Sequence, residues 1–192
     1  MIEKLLRTFL AVPIPEEVKS KKNSFYSILE NSGGKIQWVK NSNLHLTLKF
    51  IGHTPESSID EIRKVIVKIV TMNAPFNLFV NDTGCFPTPR RPRILWMGLS
   101  GELNPLFTLV HQIEEALDSM GFPKEGQDYS PHITLARIKY PQKETPNIDL
   151  FLKSSYDAID FPVDRVQFFS SELLSSGAIH TILDTVPLGE TI

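Results

Sequence analysis

A strand–helix–strand unit occurs twice along this chain, each time with His-x-Thr on its second strand. From Phe9 to His45 is 36 positions and from Leu95 to His132 is 37, so the copies stay in step. A chain built this way has two similar apolar faces to bury, and packing two lobes against each other does so. No low-complexity tract, linker or long run of like charge separates the copies. One bilobal domain over residues 1–192 is expected, rather than two independent ones.

Periodicity supplies the elements. Arg7 to Ile14 is a short apolar run read as a strand, and Pro15, Glu16 and Glu17 start a helix with acid in its first turn. Val18, Phe25, Ile28 and Leu29 share its apolar face, and Gly33-Gly34 ends it. Ile36 to Val39 and Leu44 to Ile51 read as strands. In the latter, alternation puts Leu44, Leu46, Leu48 and Phe50 on one face and His45, Thr47 and Lys49 on the other. Ile59, Ile62, Ile66, Ile69 and Val70 mark a second helix, followed by a strand over Phe76 to Val80.

The second copy repeats the order. Arg93 to Leu99 is a strand, and Leu106, Leu109, Val110, Ile113 and Leu117 form a helical stripe. In Pro131 to Ile138, His132 and Thr134 oppose Ile133 and Leu135. Asn147 to Lys153 is a short helix candidate, and Phe161 to Phe169 and Ile179 to Pro187 read as closing strands. The expected class is α+β: two pseudo-symmetric lobes, each an antiparallel sheet with outer helices, forming a central cleft.

The charge balance excludes some roles. With 20 Lys and Arg against 22 Asp and Glu, the chain cannot coat nucleic acid through bulk charge, although a few local cations suffice to hold one nucleotide or RNA end. Arg90, Arg91 and Arg93 are the one concentrated basic stretch, read as a solvated loop. Cys85 is the single cysteine, so no internal disulfide or cysteine metal cluster forms, and a reducing, cytoplasmic setting is expected. Pro13 and Pro15 interrupt the early apolar run, unlike a secretory signal. No segment has the length that spans a bilayer. Neither a membrane nor an obligate protein partner is implied.

Of the five histidines, only His45 and His132 have threonine two positions on. Residues i and i+2 of a strand share a face about 7 Å apart, so two lobes meeting across a cleft surround one small object with two imidazoles and two hydroxyls. A phosphorus centre suits that set. In-line displacement needs a base for the attacking oxygen and an acid for the leaving one, and imidazole serves as either near neutral pH. Threonine hydroxyls donate to the non-bridging oxygens as charge grows there. No metal or cofactor is expected, since His-Glu-x-x-His, cysteine pairs and aspartate-rich loops are all missing.

The segments Leu44-His45-Leu46-Thr47-Leu48-Lys49-Phe50-Ile51-Gly52 and Pro131-His132-Ile133-Thr134-Leu135-Ala136-Arg137 resemble the two signature motifs of the two-histidine phosphoesterases. Within that group the chain resembles the RNA 2′,3′-cyclic phosphodiesterases once described as 2′–5′ RNA ligases. Arg7-x-Phe9-x-Ala11-Val12-x-x-Pro15 and Pro92-Arg93-Ile94-Leu95-Trp96 match that branch too. The resemblance implies hydrolysis of a terminal 2′,3′-cyclic phosphodiester to a 2′-phosphomonoester, on an RNA terminus or small cyclic nucleotide. It implies His45 as proton donor, His132 as proton acceptor, Thr47 and Thr134 as phosphate contacts, and Arg137 and Phe50 as substrate-binding residues. Strict alternation puts Arg137 and Phe50 on the face away from the histidines. They join the site only if each strand ends, bulges or twists there, and Gly52 offers such a break in the first motif.

Three further histidines read as bystanders: His53 in a loop, His111 on a helix surface, His180 at the surface or in packing. Trp38 and Trp96 read as core. Two other functions use the same pocket. One is a module that binds an AMP-like nucleotide without chemistry; the other is 2′–5′ phosphodiester cleavage or 2′–5′ RNA joining.

Overall fold

The computed structural model describes residues 4–175 and 177–189. Over these the chain runs β1 (Leu5–Pro13), α1 (Glu16–Leu29), β2 (Gln37–Trp38), β3 (His45–Pro55), α2 (Ile59–Thr71), β4 (Phe76–Phe86), β5 (Ile94–Gly101), α3 (Leu103–Asp118), β6 (His132–Arg137), α4 (Asp149–Leu152), β7 (Ile159–Val163), β8 (Arg165–Leu174) and β9 (Gly177–Pro187). The repeated unit is β1-α1-β3 and β5-α3-β6, with β2 ahead of β3.

The strands join one antiparallel sheet in the order β7-β4-β5-β6-β3-β1-β8-β9, with β2 beside β6. That order is a palindrome about the β6–β3 seam: β5 answers β1, and β4 answers β8. The α+β, pseudo-symmetric reading therefore holds, and the two His-x-Thr strands meet at one pair, Leu46 with Ile133. The halves also exchange strands. β4 follows the first His-x-Thr strand in sequence but pairs with β5, while β8 follows the second and pairs with β1.

Helical stripes fix the layer beneath. Ile59, Ile62, Ile66 and Val70 of α2 are buried, as are Leu106, Leu109, Val110, Ile113 and Leu117 of α3. Each buried aliphatic side chain contributes about 1.5–3 kcal/mol, against about 0.3–0.5 kcal/mol for an exposed helix ion pair such as Arg63–Asp60, so the stripe decides how α2 sits. These stripes form one core with Leu46, Leu48, Ile133 and Leu135. His45, Thr47, His132 and Thr134, which alternate with them, are left on the open side.

Three local expectations change. The strand expected over Phe161 to Phe169 is two, β7 and β8, broken at Asp164, whose carboxylate accepts two hydrogen bonds from Arg165 and whose carbonyl accepts one from Leu188 N–H. Ile28 is largely exposed, and Lys22 stands in the α1 stripe instead, its ammonium donating to the Val39 carbonyl and to Asn41 Oδ1. A long stem with a bonded tip reads as polar in sequence yet packs as an apolar residue. Third, β3 and β4 run on to Pro55 and Phe86, so His53 lies in a strand, not a loop.

Candidate active site

The β3–β6 seam assembles the two motifs. Counting one residue either way from the Leu46–Ile133 pair sets His45 opposite Thr134 and Thr47 opposite His132. In such an antiparallel patch the two histidines are diagonal neighbours, with Cα atoms about 7–8 Å apart. On the outer sides the histidines and threonines face Pro13 and Ala11 on β1, and Gly98 and Trp96 on β5. Three of those four are small, which leaves room above the patch.

Both imidazoles are held identically. His45 Nδ1 lies 2.8 Å from the Asn43 carbonyl and His132 Nδ1 lies 2.8 Å from the Ser130 carbonyl. A carbonyl only accepts, so each Nδ1 carries the hydrogen and Nε2 is the nitrogen left for chemistry. The residue two positions before each histidine thus sets its tautomer. His45 is further enclosed by Phe9, Phe169 and His180, at ring-centroid distances of 4.8, 6.2 and 5.6 Å. Burial drives its pKa down to about 4; the Asn43 hydrogen bond opposes this, and the charges of His180 and Arg137 add to it. His45 is therefore a neutral imidazole in the free protein at pH 7.

Phe50 and Arg137 reach the open side through matching breaks in strand register. On β3 the pairing with β1 slips between Leu10 and Ala11, leaving Leu48 as an extra residue; on β6 the pairing with β5 slips between Leu95 and Trp96, leaving Leu135 extra. An extra residue shifts the alternation by one, so the expected two-sided pattern reverses after each bulge. Phe50 is exposed, with its ring 6.0 Å from Phe9 on the histidine side, and Arg137 is exposed and acts electrostatically on His45. Lys49, expected beside the histidines, is buried instead. Its ammonium donates to Glu114 at 2.7 Å and to the Pro123 carbonyl at 2.9 Å. A second slip at Ile51, with Gly52 at φ +86°, follows in β3.

Sequence reasoning set aside several residues that the fold brings here. His180 on β9 sits edge-on to His45, and Asn43 donates to the Ala178 carbonyl at 2.8 Å, holding this hairpin against the site. The His180 pKa too is lowered by burial. Trp96, expected in the core, is only partly buried and lies 6.4 Å from His132, with Phe86 at 5.2 Å from the same ring. Gly84 permits this, because a Cβ there would lie 2.2 Å from the indole. The second histidine is thus flanked by Phe86 and Trp96 as the first is by Phe9 and Phe169. No local signal marks His180, since β9 lies outside both repeats. Trp38, read as core, packs partly buried against it. His111 is exposed on α3, as expected, and Arg90, Arg91 and Arg93 are exposed as a solvated stretch should be, with Arg91 and Arg93 also lying over the Tyr140 ring at 5.0 and 5.9 Å. Among the described residues no cluster of three or more His, Cys, Asp or Glu side chains is placed to hold a metal, and no helix is long and apolar enough to cross a membrane.

Comparison with known proteins adds an independent line. The model of the LigT-like phosphoesterases matches residues 12–96 and 99–180, each segment carrying one His-x-Thr motif. The chain is 34% identical over 157 residues to an RNA 2′,3′-cyclic phosphodiesterase of Aquifex aeolicus, covering 80% of this chain and 82% of that one. It is 32% identical to the Thermotoga maritima protein of the same description, covering 93% of each. A solved structure from Thermus thermophilus superposes with a TM-score of 0.81 at 26% identity, over 96% of this chain and 98% of that one. Escherichia coli LigT complexed with 3′-AMP shares the fold, with a TM-score of 0.77 at 21% identity over 97% and 100% of the two chains.

Proposed function

The chain belongs to the LigT-like phosphoesterase family, and from that premise we propose how its seam site works. The reaction is hydrolysis of a 2′,3′-cyclic phosphodiester. The substrate is an RNA end, or a nucleotide carrying the same cyclic phosphate, and the setting is the cytoplasm. The single observation behind this reading is the matched pair of imidazoles, each with Nδ1 tied to the carbonyl two residues back and Nε2 free.

His132 takes a proton from water as it attacks phosphorus, and the bond from phosphorus to the 3′ oxygen breaks. His45 gives that oxygen its proton, so phosphate remains on the 2′ position. Thr47 and Thr134 donate to the non-bridging oxygens. His45 is neutral in the free protein, so its proton arrives with the anionic substrate, whose charge raises the imidazole pKa against the effects of burial and Arg137. The terminal base stacks on Phe50, and Arg137, on the other side of the β3–β6 pair, reaches toward the phosphate. A plain nucleotide-binding module needs no such pair of free Nε2 atoms. We take 1–192 as one bilobal domain, supported by the strand exchange that ties each half to the other's edge.

Phosphorus NMR on an RNA ending in a 2′,3′-cyclic phosphate tests the reading. The 2′-monoester resonance is expected to grow in the presence of excess chelator. No product, or product only after a divalent ion is added, would sink it.

A further inference from the structure

Beyond the seam, the sheet carries two successive rows of side chains on the histidine side. Strand pairing sets Phe50, Phe9 and Phe169 in the first row, and His53, Arg7, Ser171 and His180 in the second. The face is fixed by what lies between them: Thr8 and Thr54 are buried on the other side of the sheet, their hydroxyls 2.7 Å apart. Arg7 and His53, their chain neighbours, therefore point toward the site. Rows two residues apart are about 7 Å apart, within the span of one nucleotide.

The second row carries the Arg7 guanidinium, and its polar groups are unsatisfied among the described residues. Arg7 and His53 are exposed, and neither they nor Ser171 bond a side chain among the described residues. His180 has a buried Nδ1 without a partner, although its ring touches Phe9 at 5.0 Å. Among the described residues no carboxylate faces the row. Glu56 is engaged by Lys4 and Asp184 by Arg63, and Glu172, next to Ser171, falls on the opposite face. A lone exposed arginine is ordinary. Four neighbouring polar groups without side-chain partners among the described residues, continuous with the aromatic row and free of acid, are the makings of an anion site, for which a guanidinium is well shaped.

We propose that His53, Arg7, Ser171 and His180 form a subsite for the phosphate on the 5′ side of the terminal nucleotide. This rests on the hydrolase reading above and extends it from a cyclic nucleotide to a chain. With the cyclic phosphate at the seam and the terminal base on Phe50, the next phosphate of the strand falls on the Arg7 row.

Three substrates with one terminal nucleoside test it: the 2′,3′-cyclic mononucleotide, the same compound with a 5′-phosphate, and a trinucleotide with the same cyclic end. The wild type is expected to prefer the two carrying the extra phosphate by about tenfold in kcat/KM, one phosphate contact's worth. Arg7→Gln removes that preference and leaves the cyclic mononucleotide unchanged, while Arg7→Lys keeps part of it. The slope of log kcat/KM against log salt for the trinucleotide falls by about 0.7 in Arg7→Gln, as expected for one phosphate contact on a single strand. An intact preference in Arg7→Gln, or an equal loss on all three substrates, overturns the proposal. Fluorescence anisotropy of labelled mono- and trinucleotide 2′-phosphates reads the subsite without turnover. There Arg7→Gln weakens only the trinucleotide, so an inactive wild type with this pattern would refute the hydrolase reading and not the subsite.

Discussion

The ring of Phe9 stacks on the ring of His45, with centroids 4.8 Å apart and planes 29° from parallel. This contact withholds water from one face of the imidazole, and with Phe169 and His180 also around the ring, burial is the main reason its pKa falls to about 4. Between that value and the ordinary 6.5, an unfolded chain binds a proton at this residue and the native chain does not. Stability from this group is therefore complete above about pH 6.5 and lost as pH falls toward 4. Lowering the pH from about 7 to about 4.5 is expected to remove about 2–3 kcal/mol through His45. Urea unfolding at both pH values should show a smaller drop for His45→Gln; a parallel drop would mean His45 is not held neutral.

Loss of either imidazole should cost turnover and not fold, because both lie on the open side of the sheet. His45→Ala and His132→Ala are each expected to lower kcat by roughly 10²–10⁴-fold, the range for one acid–base group, with unchanged far-UV circular dichroism. Thr47→Ala and Thr134→Ala should lose less, each removing one hydrogen bond to phosphate. Near-normal turnover in either histidine variant would make that residue structural.

The two histidines are alike in their hydrogen bonding, so their roles need a chemical test. An acid matters little when the leaving group is a stable anion. On a phosphodiester with a phenolic leaving group of low pKa, His45→Ala should recover most of its lost rate and His132→Ala should not. The readout is the ratio of natural to activated rates for each variant, and the opposite pattern reverses donor and acceptor.

Phe50 is placed on the open side by the Leu48 bulge. Phe50→Ala should raise KM for a cyclic mononucleotide by about 5- to 150-fold, the 1–3 kcal/mol of one base stacked on an aromatic ring, with kcat at saturation little changed. Steady-state kinetics separate the two constants. A fall in kcat at constant KM would show that Phe50 shapes the site and does not hold the base.

Lys49, the neighbour of Phe50, is expected to matter for stability alone. Its side chain is 1% exposed and paired with Glu114 at 2.7 Å. Lys49→Ala leaves the Pro123 carbonyl without its donor and Glu114 with only the Glu125 N–H, and should cost about 3 kcal/mol in urea unfolding, whereas Lys49→Met, which keeps the packed stem, should cost less. Turnover at a temperature where both variants stay folded should match the wild type. A large loss of kcat with intact stability would place Lys49 in the site after all.

Residues near in sequence settled much of this protein before any packing. The 3.6-residue stripes of α2 and α3 and the alternation through His45-Leu46-Thr47 and His132-Ile133-Thr134 are local, so the elements, the α+β class and the pairing of the two motifs were legible from the chain. The face of Phe50 was not, because a bulge depends on the register of the partner strand, and β1 chooses that register by packing Leu10 and Ala11 against β3. Nor was the exchange of β4 and β8 between halves, since strand order is fixed by which edges meet in the folded core. The break of one expected strand at Asp164 came from a similar source: Leu188, distant in sequence, caps its carbonyl. His180 is the sharpest case. It carries no motif and sits 135 residues after His45, and only the β8–β9 hairpin, pinned by Asn43 to Ala178, brings the two rings to 5.6 Å. Periodicity reports which face a residue shows to its own element, whereas a site is made where different elements meet.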